Sequence, residues 1–257
     1  MLQDARDRTA SAAVAAAGGH WEYSARVIPV AALERATTLR MIEIYLGIYD
    51  GSSEALFLRD LAGKDEVLLV HAGERLVGFT TLRFLRREWG GRPISVVYSG
   101  DTVVERRHWG QQALAFSWIG RMGRYKREHP ARPLYWFLLV KGHRTFRYLP
   151  IFGKSFYPHW RIDRRDLKPL ADLLGAEMFP GDYNPSTGVV EFAESHGHLR
   201  PEFATPSPDE LRREGVQFFV ERNPGFREGH ELVCICEVEE HNMRPLTLSL
   251  FRKGALD

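Results

Sequence analysis

The sequence predicts an α/β protein with a mixed, mostly antiparallel sheet flanked by helices and a C-terminal β-rich extension. Three observations carry this. Two β-branched, apolar runs, Glu66–His71 and Arg75–Leu85, are joined by Ala72-Gly73-Glu74, the short glycine-containing connection of an antiparallel hairpin. A strand-like run at Ile94–Val104 leads into a helical one at Gly110–Lys126 and then into Leu134–Val140, which makes one βαβ crossover. The composition, 44% hydrophobic and 26% charged over 257 residues, is that of a globular chain with a sizeable core.

The elements follow in order. Residues 1–25 read as a flexible arm, with alanines, Gly18-Gly19 and no clear period. The run Ala10–Ala17 follows a mixed-charge segment and lacks a strongly apolar stretch, so it does not read as a secretion signal. No run approaches the roughly 18 apolar residues of a membrane span, and cytoplasm is the default expectation. Ala31–Ile48 reads as a helix, because Leu33, Leu39, Ile42 and Leu46 recur at helical spacing before Gly51. Ser53–Ala62 reads as a second, short helix closed by Gly63.

After the hairpin, Trp89-Gly90-Gly91-Arg92-Pro93 marks a turn. The strand Ile94–Val104 is interrupted by Ser99-Gly100, where a glycine inside a strand pattern signals a bulge or a close approach of backbone to ligand. Leu134–Val140 (Leu-Tyr-Trp-Phe-Leu-Leu-Val) is the most apolar run and reads as a strand buried on both faces. A short helix or turn is expected over 143–152 and a helix over Leu167–Leu174. Pro180–Pro208 reads as irregular and Asp209–Glu214 as a short helix. Val216–Arg222, Glu231–Glu237 and Leu246–Arg252 read as strands. Cys234 and Cys236, two apart in a strand, read as packed thiols on one face. His196 and His198 lack an evident third ligand and read as polar loop residues, so no metal is expected.

The formal net charge is +2, but it is unevenly spread. Between Arg83 and Arg165 stand 18 lysines and arginines against 5 acidic residues, a surplus of 13 that leaves −11 for the rest. That asymmetry points to an anionic ligand near the middle of the chain, either a phosphate-bearing small molecule or nucleic acid.

The chemistry concentrates in Ser99–Gln112. A strand ends near Glu105, a basic loop follows, and a helix begins near Gly110. The first amides of a helix lack intrahelical acceptors and lie at the positive end of its dipole. Glycine there admits a phosphate, and Arg106 and Arg107 add charge, so Trp109, Gly110, Gln111 and Gln112 form a candidate anion site.

Arg107-His-Trp-Gly110-Gln-Gln112, set between a strand and a long helix, resembles the pyrophosphate loop of the GCN5-related N-acetyltransferase (GNAT) family. The match stands on Arg107 and Gly110; Gln112 takes the place of a small residue. The hairpin, the interrupted strand and the apolar strand follow the family's order. The segment from Arg144 through Tyr148 to Phe152-Gly153 is similar to the family's closing helix, with the tyrosine-to-glycine spacing one residue longer. The resemblance covers about residues 34–160. It implies a GNAT-like core over 26–160 that binds acetyl-CoA or another acyl-CoA, or a carrier-protein thioester. Residues 161–257 would be an added extension packing on that core, with acceptor binding as its candidate role. The implied reaction is direct acyl transfer to an amine, on a small molecule or a carrier-bound substrate. By the same resemblance the backbone at Val103–Val104 would polarise the thioester, Tyr148 would be the acid, and Asp101 or Glu105 the base. At a spacing of four, Asp101 and Glu105 share a strand face. The alternative from a different class is nucleic-acid binding through distributed arginines such as Arg121, Arg124, Arg144 and Arg147. A GNAT-like fold that binds without catalysing is the third.

Overall fold

A computed structural model describes residues 21–193 and 196–256. Residues 1–20, most of the expected arm, lie outside the described residues. The end of that arm is corrected: Tyr23–Pro29 is a strand, β1. It is followed by α1 (Arg35–Leu46), β2 (Tyr49–Asp50), α2 (Glu54–Ala62), β3 (Glu66–Ala72), β4 (Arg75–Trp89), β5 (Arg92–Val104), α3 (Ala113–Glu128) and β6 (Leu134–Val140). Then come α4 (His143–Phe146), α5 (Tyr148–Phe152), α6 (Lys168–Met178), β7 (Tyr183–Asn184), β8 (Val189–Val190) and β9 (His198–Leu199). The chain closes with α7 (Pro201–Ala204), α8 (Pro208–Leu211), α9 (Glu214–Arg222), β10 (Glu231–Glu237) and α10 (Pro245–Leu256).

Eight strands form one sheet in the order β1-β3-β4-β5-β6-β10-β8-β7. The β5–β6 pair is parallel and the others are antiparallel. This is the mixed, mostly antiparallel sheet that the sequence predicts. Both faces are covered. In β3, Leu68 and Val70 face the core under α3, while Val67 and Leu69 face the core under α1 and α2. Strand β6 is buried on both faces, as its unbroken apolar run requires. The β4–β5 hairpin turns on Gly90 and Gly91, at φ +56° and +73°. Two consecutive left-handed residues match the twist of the flanking strands and favour glycine at both positions.

The C-terminal part departs from the β-rich extension expected of it. Val216–Arg222 lies in helix α9, whose buried residues Val216 and Phe219 are three apart. Leu246–Arg252 lies in helix α10, where Thr247, Phe251 and Gly254 are buried at intervals of four and three. In both segments β-branched, aromatic or alternating residues suggest a strand, but tertiary burial selects the helical period. Short strands also break the region 180–208 that reads as irregular. The expected strand Glu231–Glu237 does form, and it pairs with β6. The last hundred residues therefore complete the main sheet. Helix α10 crosses α3 at glycines: a methyl group on Gly123 would collide with the Phe251 carbonyl, and one on Gly254 with the Gly120 backbone. Cys234 and Cys236 are free, buried thiols in one core cluster, and burial pushes Cys236 up to about 12.

Among the described residues no helix is long and apolar enough to cross a membrane.

Candidate active site

The bulge expected at Ser99-Gly100 is present, and it decides where the polar residues point. Thr80 pairs with Thr102 and Leu82 with Ser99, so Gly100 and Asp101 together face Thr81. One extra residue reverses the parity of the strand. Before the bulge Tyr98 points to the α6 side of the sheet, and after it Asp101 and Val103 point to that same side. Gly100 is required by packing, since a Cβ there would lie 2.5 Å from Thr81 Oγ1 and 2.7 Å from Lys64 Cε.

The bulge also ends the pairing of β5 with β6. Their parallel register runs from Ser95 opposite Leu134 to Ser99 opposite Leu138 and stops there. Two cavities meet at this gap, and both are lined by Ser99, Gly100, Thr102, Leu139 and Thr145. On the α3 side is a narrow, apolar channel of about 60 Å3 between α3 and α5, with Trp118, Trp136, Tyr148 and Ile151 in its walls. Ser99 Oγ accepts from both indoles, Trp118 Nε1 at 3.1 Å and Trp136 Nε1 at 3.0 Å. On the other side is a cavity of about 400 Å3 walled by Tyr45, Tyr49, Tyr98, Phe179 and Phe192, with Asp60, Asp101, Asp182 and Glu231 among its acidic residues.

Asp101 lines the large cavity only, between Gly100 and Thr102, which line both. Burial and the neighbouring charge of Asp60 raise its carboxyl to about 7, against the opposing pull of Lys64 and Lys141. Lys64 is a buried lysine bound to the Asp60 carboxylate, and its ammonium lies 5.1 Å from the centre of the Tyr98 ring. Lys141 pairs with Glu231 at 3.0 Å. Burial, reinforced by Asp101, holds the Tyr45 and Tyr49 phenols above their ordinary range, so both stay neutral.

Glu105 shares the sheet face with Asp101, as their spacing predicts, but it is not part of this site. It binds Arg40, Arg75 at 3.0 Å and Arg107 at 3.0 Å. Burial raises its pKa, but the arginines, Arg40 foremost, outweigh burial and hold it below the usual carboxylate range. A carboxylate so stabilised is a weak proton acceptor, which corrects its expected role as a base. Tyr148 lines the narrow channel, and burial raises its phenol, so it keeps its proton.

The loop before α3 is held in place. The Tyr23 hydroxyl and His108 Nδ1 share a hydrogen bond of 3.0 Å, which ties the loop to β1. Trp109 Nε1 donates to the Val104 carbonyl at 2.8 Å. Gly110 has φ +89°, which favours glycine, and a Cβ there would meet nothing within 4 Å. The Trp109 and Gln111 amides, expected in the anion site, are taken by the Arg106 and His108 carbonyls at 3.2 and 3.4 Å, and Gln111 Oε1 caps the Leu114 amide at 3.1 Å, which leaves the helix start at Gln112 and Ala113. Of the two arginines expected over this helix start, Arg107 is bound to Glu105 instead, while Arg106 lies over the Phe203 ring. Arg144, 5.0 Å from the centre of the Trp109 ring, is engaged in the same way, by the Phe203 carbonyl and Glu210, so Arg106 is the arginine left beside the loop.

Val103 and Val104 also separate. Glu105 donates its amide to Val77 on β4, and alternation along the ladder turns Val103 the same way. The amides of Thr102 and Val104 therefore face the gap, and that of Val103 does not.

Residues expected to serve nucleic acid are partly engaged within the protein. Arg121 makes a two-pronged pair with Glu66, both bonds at 2.8 Å, and Arg144 binds the Phe203 carbonyl and Glu210. His196 stacks on Phe192 at the large cavity, and among the described residues no group of three His, Cys, Asp or Glu could hold a metal ion.

The walls of the large cavity are the part that sequence reading missed. They come from residues as far apart as Tyr45 and Glu231, with no local motif. The one available signal was Asp60 four residues before Lys64, the spacing of a helical ion pair.

No protein-family model matches the sequence, and no curated protein matches it. Solved structures do. A protein from Enterococcus faecalis V583 described as a probable N-acyltransferase is 11% identical, over 52% of this chain and 33% of its own, with a TM-score of 0.38. A GCN5-related N-acetyltransferase from Kribbella flavida is 14% identical, over 52% and 34%, also with a TM-score of 0.38. The GNAT-family N-acetyltransferase YhbS from Escherichia coli, solved with CoA, is 14% identical, over 51% and 69%, with a TM-score of 0.35. The chain spans about a third of the length of the first two.

Proposed function

We propose that this protein transfers an acyl group from a coenzyme A thioester to an amine held in the large cavity. One observation carries the reading: the bulge at Gly100-Asp101 opens a gap between β5 and β6 that joins a narrow apolar channel to an aromatic, charged cavity, with Asp101 in the cavity wall beside the shared Gly100 and Thr102. The channel suits a thin, flexible thioester arm, which would pair with the unpaired backbone of β5. The helix start at Gln112 and Ala113, with Gly110 before it and Arg106 beside it, suits the phosphates of the donor.

In this reading the neutral amine nitrogen attacks the thioester carbonyl carbon. A C–N bond forms, the C–S bond breaks, and the thiol leaves. Asp101, titrating near 7, takes the proton that the ammonium must lose. The amide of Val104, turned toward the gap, donates to the carbonyl oxygen as charge develops there. Tyr148, kept protonated by burial on the channel side, gives its proton to the departing sulfur, and the second proton, lost by the nitrogen as the amide forms, restores the phenol through solvent. The aromatic faces of the cavity, with Asp101 and Asp182 set against Arg59, favour a cationic acceptor, and residues after 160 supply Phe179, Asp182 and Phe192 to select it.

The test is thiol release from acetyl-CoA across a panel of primary amines, with wild-type protein and Asp101→Asn. Amine-dependent release that the substitution reduces at least 100-fold supports the proposal, and no release with any amine contradicts it.

A further inference from the structure

A third concavity, a shallow groove of about 600 Å3, shares no lining residue with the two cavities above. It lies where the end of α5, the segment 159–162 and the starts of α9 and α10 meet. Lys154, Arg161, Arg213 and Arg244 line it against a single carboxylate, Glu214. Glu214 is occupied by Arg161, through two hydrogen bonds of 2.6 Å. Among the described residues no carboxylate forms an ion pair with Lys154, Arg213 or Arg244.

The crowding of positive charge registers on its neighbours. Burial first, then Arg161 and Arg244, hold His159 below its ordinary range. Burial first, then Arg213, do the same to Arg147, although Glu210 opposes them. Cations gathered this way repel one another and attract a multivalent anion.

The groove is also flat on one side. The rings of His159 and Trp160 stack with centroids 4.4 Å apart and planes within 17°. Gly215 packs on the indole, where a methyl group would come within 3.1 Å of its ring, so the main chain at the start of α9 covers that part of Trp160. His159 Nδ1 accepts from the amides of Arg161 at 2.9 Å and Ile162 at 3.1 Å, which leaves its proton on Nε2 as a donor.

We propose that this groove binds a nucleoside phosphate, with its base at the His159 ring and hydrogen-bonded to Nε2, and its phosphates among Lys154, Arg213 and Arg244. An aromatic platform beside cations selects a ligand that carries both a flat ring and phosphate charge.

The test is calorimetric titration with ADP at low salt, run with and without saturating CoA. Wild-type protein is compared with the double variant Arg213→Ser, Arg244→Ser. Both residues are exposed, so the variant should melt at the wild-type temperature. ADP is expected to bind the wild-type protein whether or not CoA is present, and to bind the double variant at least tenfold more weakly. Four results would overturn the proposal: no ADP binding, equal binding by the variant, displacement of ADP by CoA, or inorganic phosphate binding as tightly as ADP. The titration without CoA stands even if the acyl-transfer reading fails.

Discussion

Gly100 packs so closely on Lys64 that a methyl group in place of its hydrogen would lie 2.7 Å from the lysine Cε. The buried lysine and the bulge therefore constrain each other. Gly100→Ala must push one of them aside, at a cost of about 1–3 kcal/mol for forced overpacking. Urea denaturation should show that loss, and acyl transfer should fall more than tenfold because Asp101 is displaced.

Asp101 sets the expected pH dependence. Its carboxyl, raised to about 7, becomes a base only above that value, so the rate should climb between pH 6 and 8. Stability moves the other way. The folded protein binds this proton more tightly than the unfolded chain does, so the contribution is complete below about pH 4 and is lost as pH rises through about 7. In Asp101→Asn the rate step should vanish. The melting temperature of the variant relative to wild type should rise from pH 4 to pH 7. Melting curves across that range check the second point independently of any assay.

Glu105 should behave in the opposite way. Burial raises its pKa, but Arg40 and Arg75 outweigh it and hold the folded value below the ordinary one. Its contribution is present above about pH 4.5 and is lost as pH falls through the depressed value. Glu105→Gln leaves Arg40, Arg75 and Arg107 without their shared carboxylate and should cost about 1–3 kcal/mol at neutral pH. The difference should vanish in acid. The pH at half-maximal rate should not move, which separates Glu105 from Asp101.

Much of this was legible in the sequence because it is local. Gly73 marks one hairpin, Gly90-Gly91 a second, Ser99-Gly100 the bulge, and Leu134–Val140 the doubly buried strand. The left-handed glycine before α3 was legible for the same reason. Val216–Arg222 and Leu246–Arg252 were misread because their apolar residues satisfy both periods, and only the neighbours in the fold decide between them. The acceptor-side cavity left no local trace. Tyr45, Asp101, Phe179 and Glu231 share a wall only after β10 has joined β6.

Tyr148 separates chemistry from donor binding. Its phenol lines the narrow channel and is kept protonated by burial. Tyr148→Phe removes one oxygen and little volume. CoA affinity should stay within about twofold while the maximal rate falls by about 10²-fold, the low end for general acid catalysis. Steady-state kinetics beside a binding titration distinguish the two effects.

The central claim is that the gap between β5 and β6, together with the loop at Gly110, receives a coenzyme A thioester. The most direct measurement is calorimetric titration of the protein with CoA and acetyl-CoA, repeated on Gly110→Trp. The left-handed backbone at Gly110 disfavours any side chain, and an indole there would fill the open space before α3. The account predicts saturable binding of one equivalent to the wild-type protein, weakened at least tenfold in the variant. A folded wild-type protein that binds neither CoA nor acetyl-CoA would contradict it.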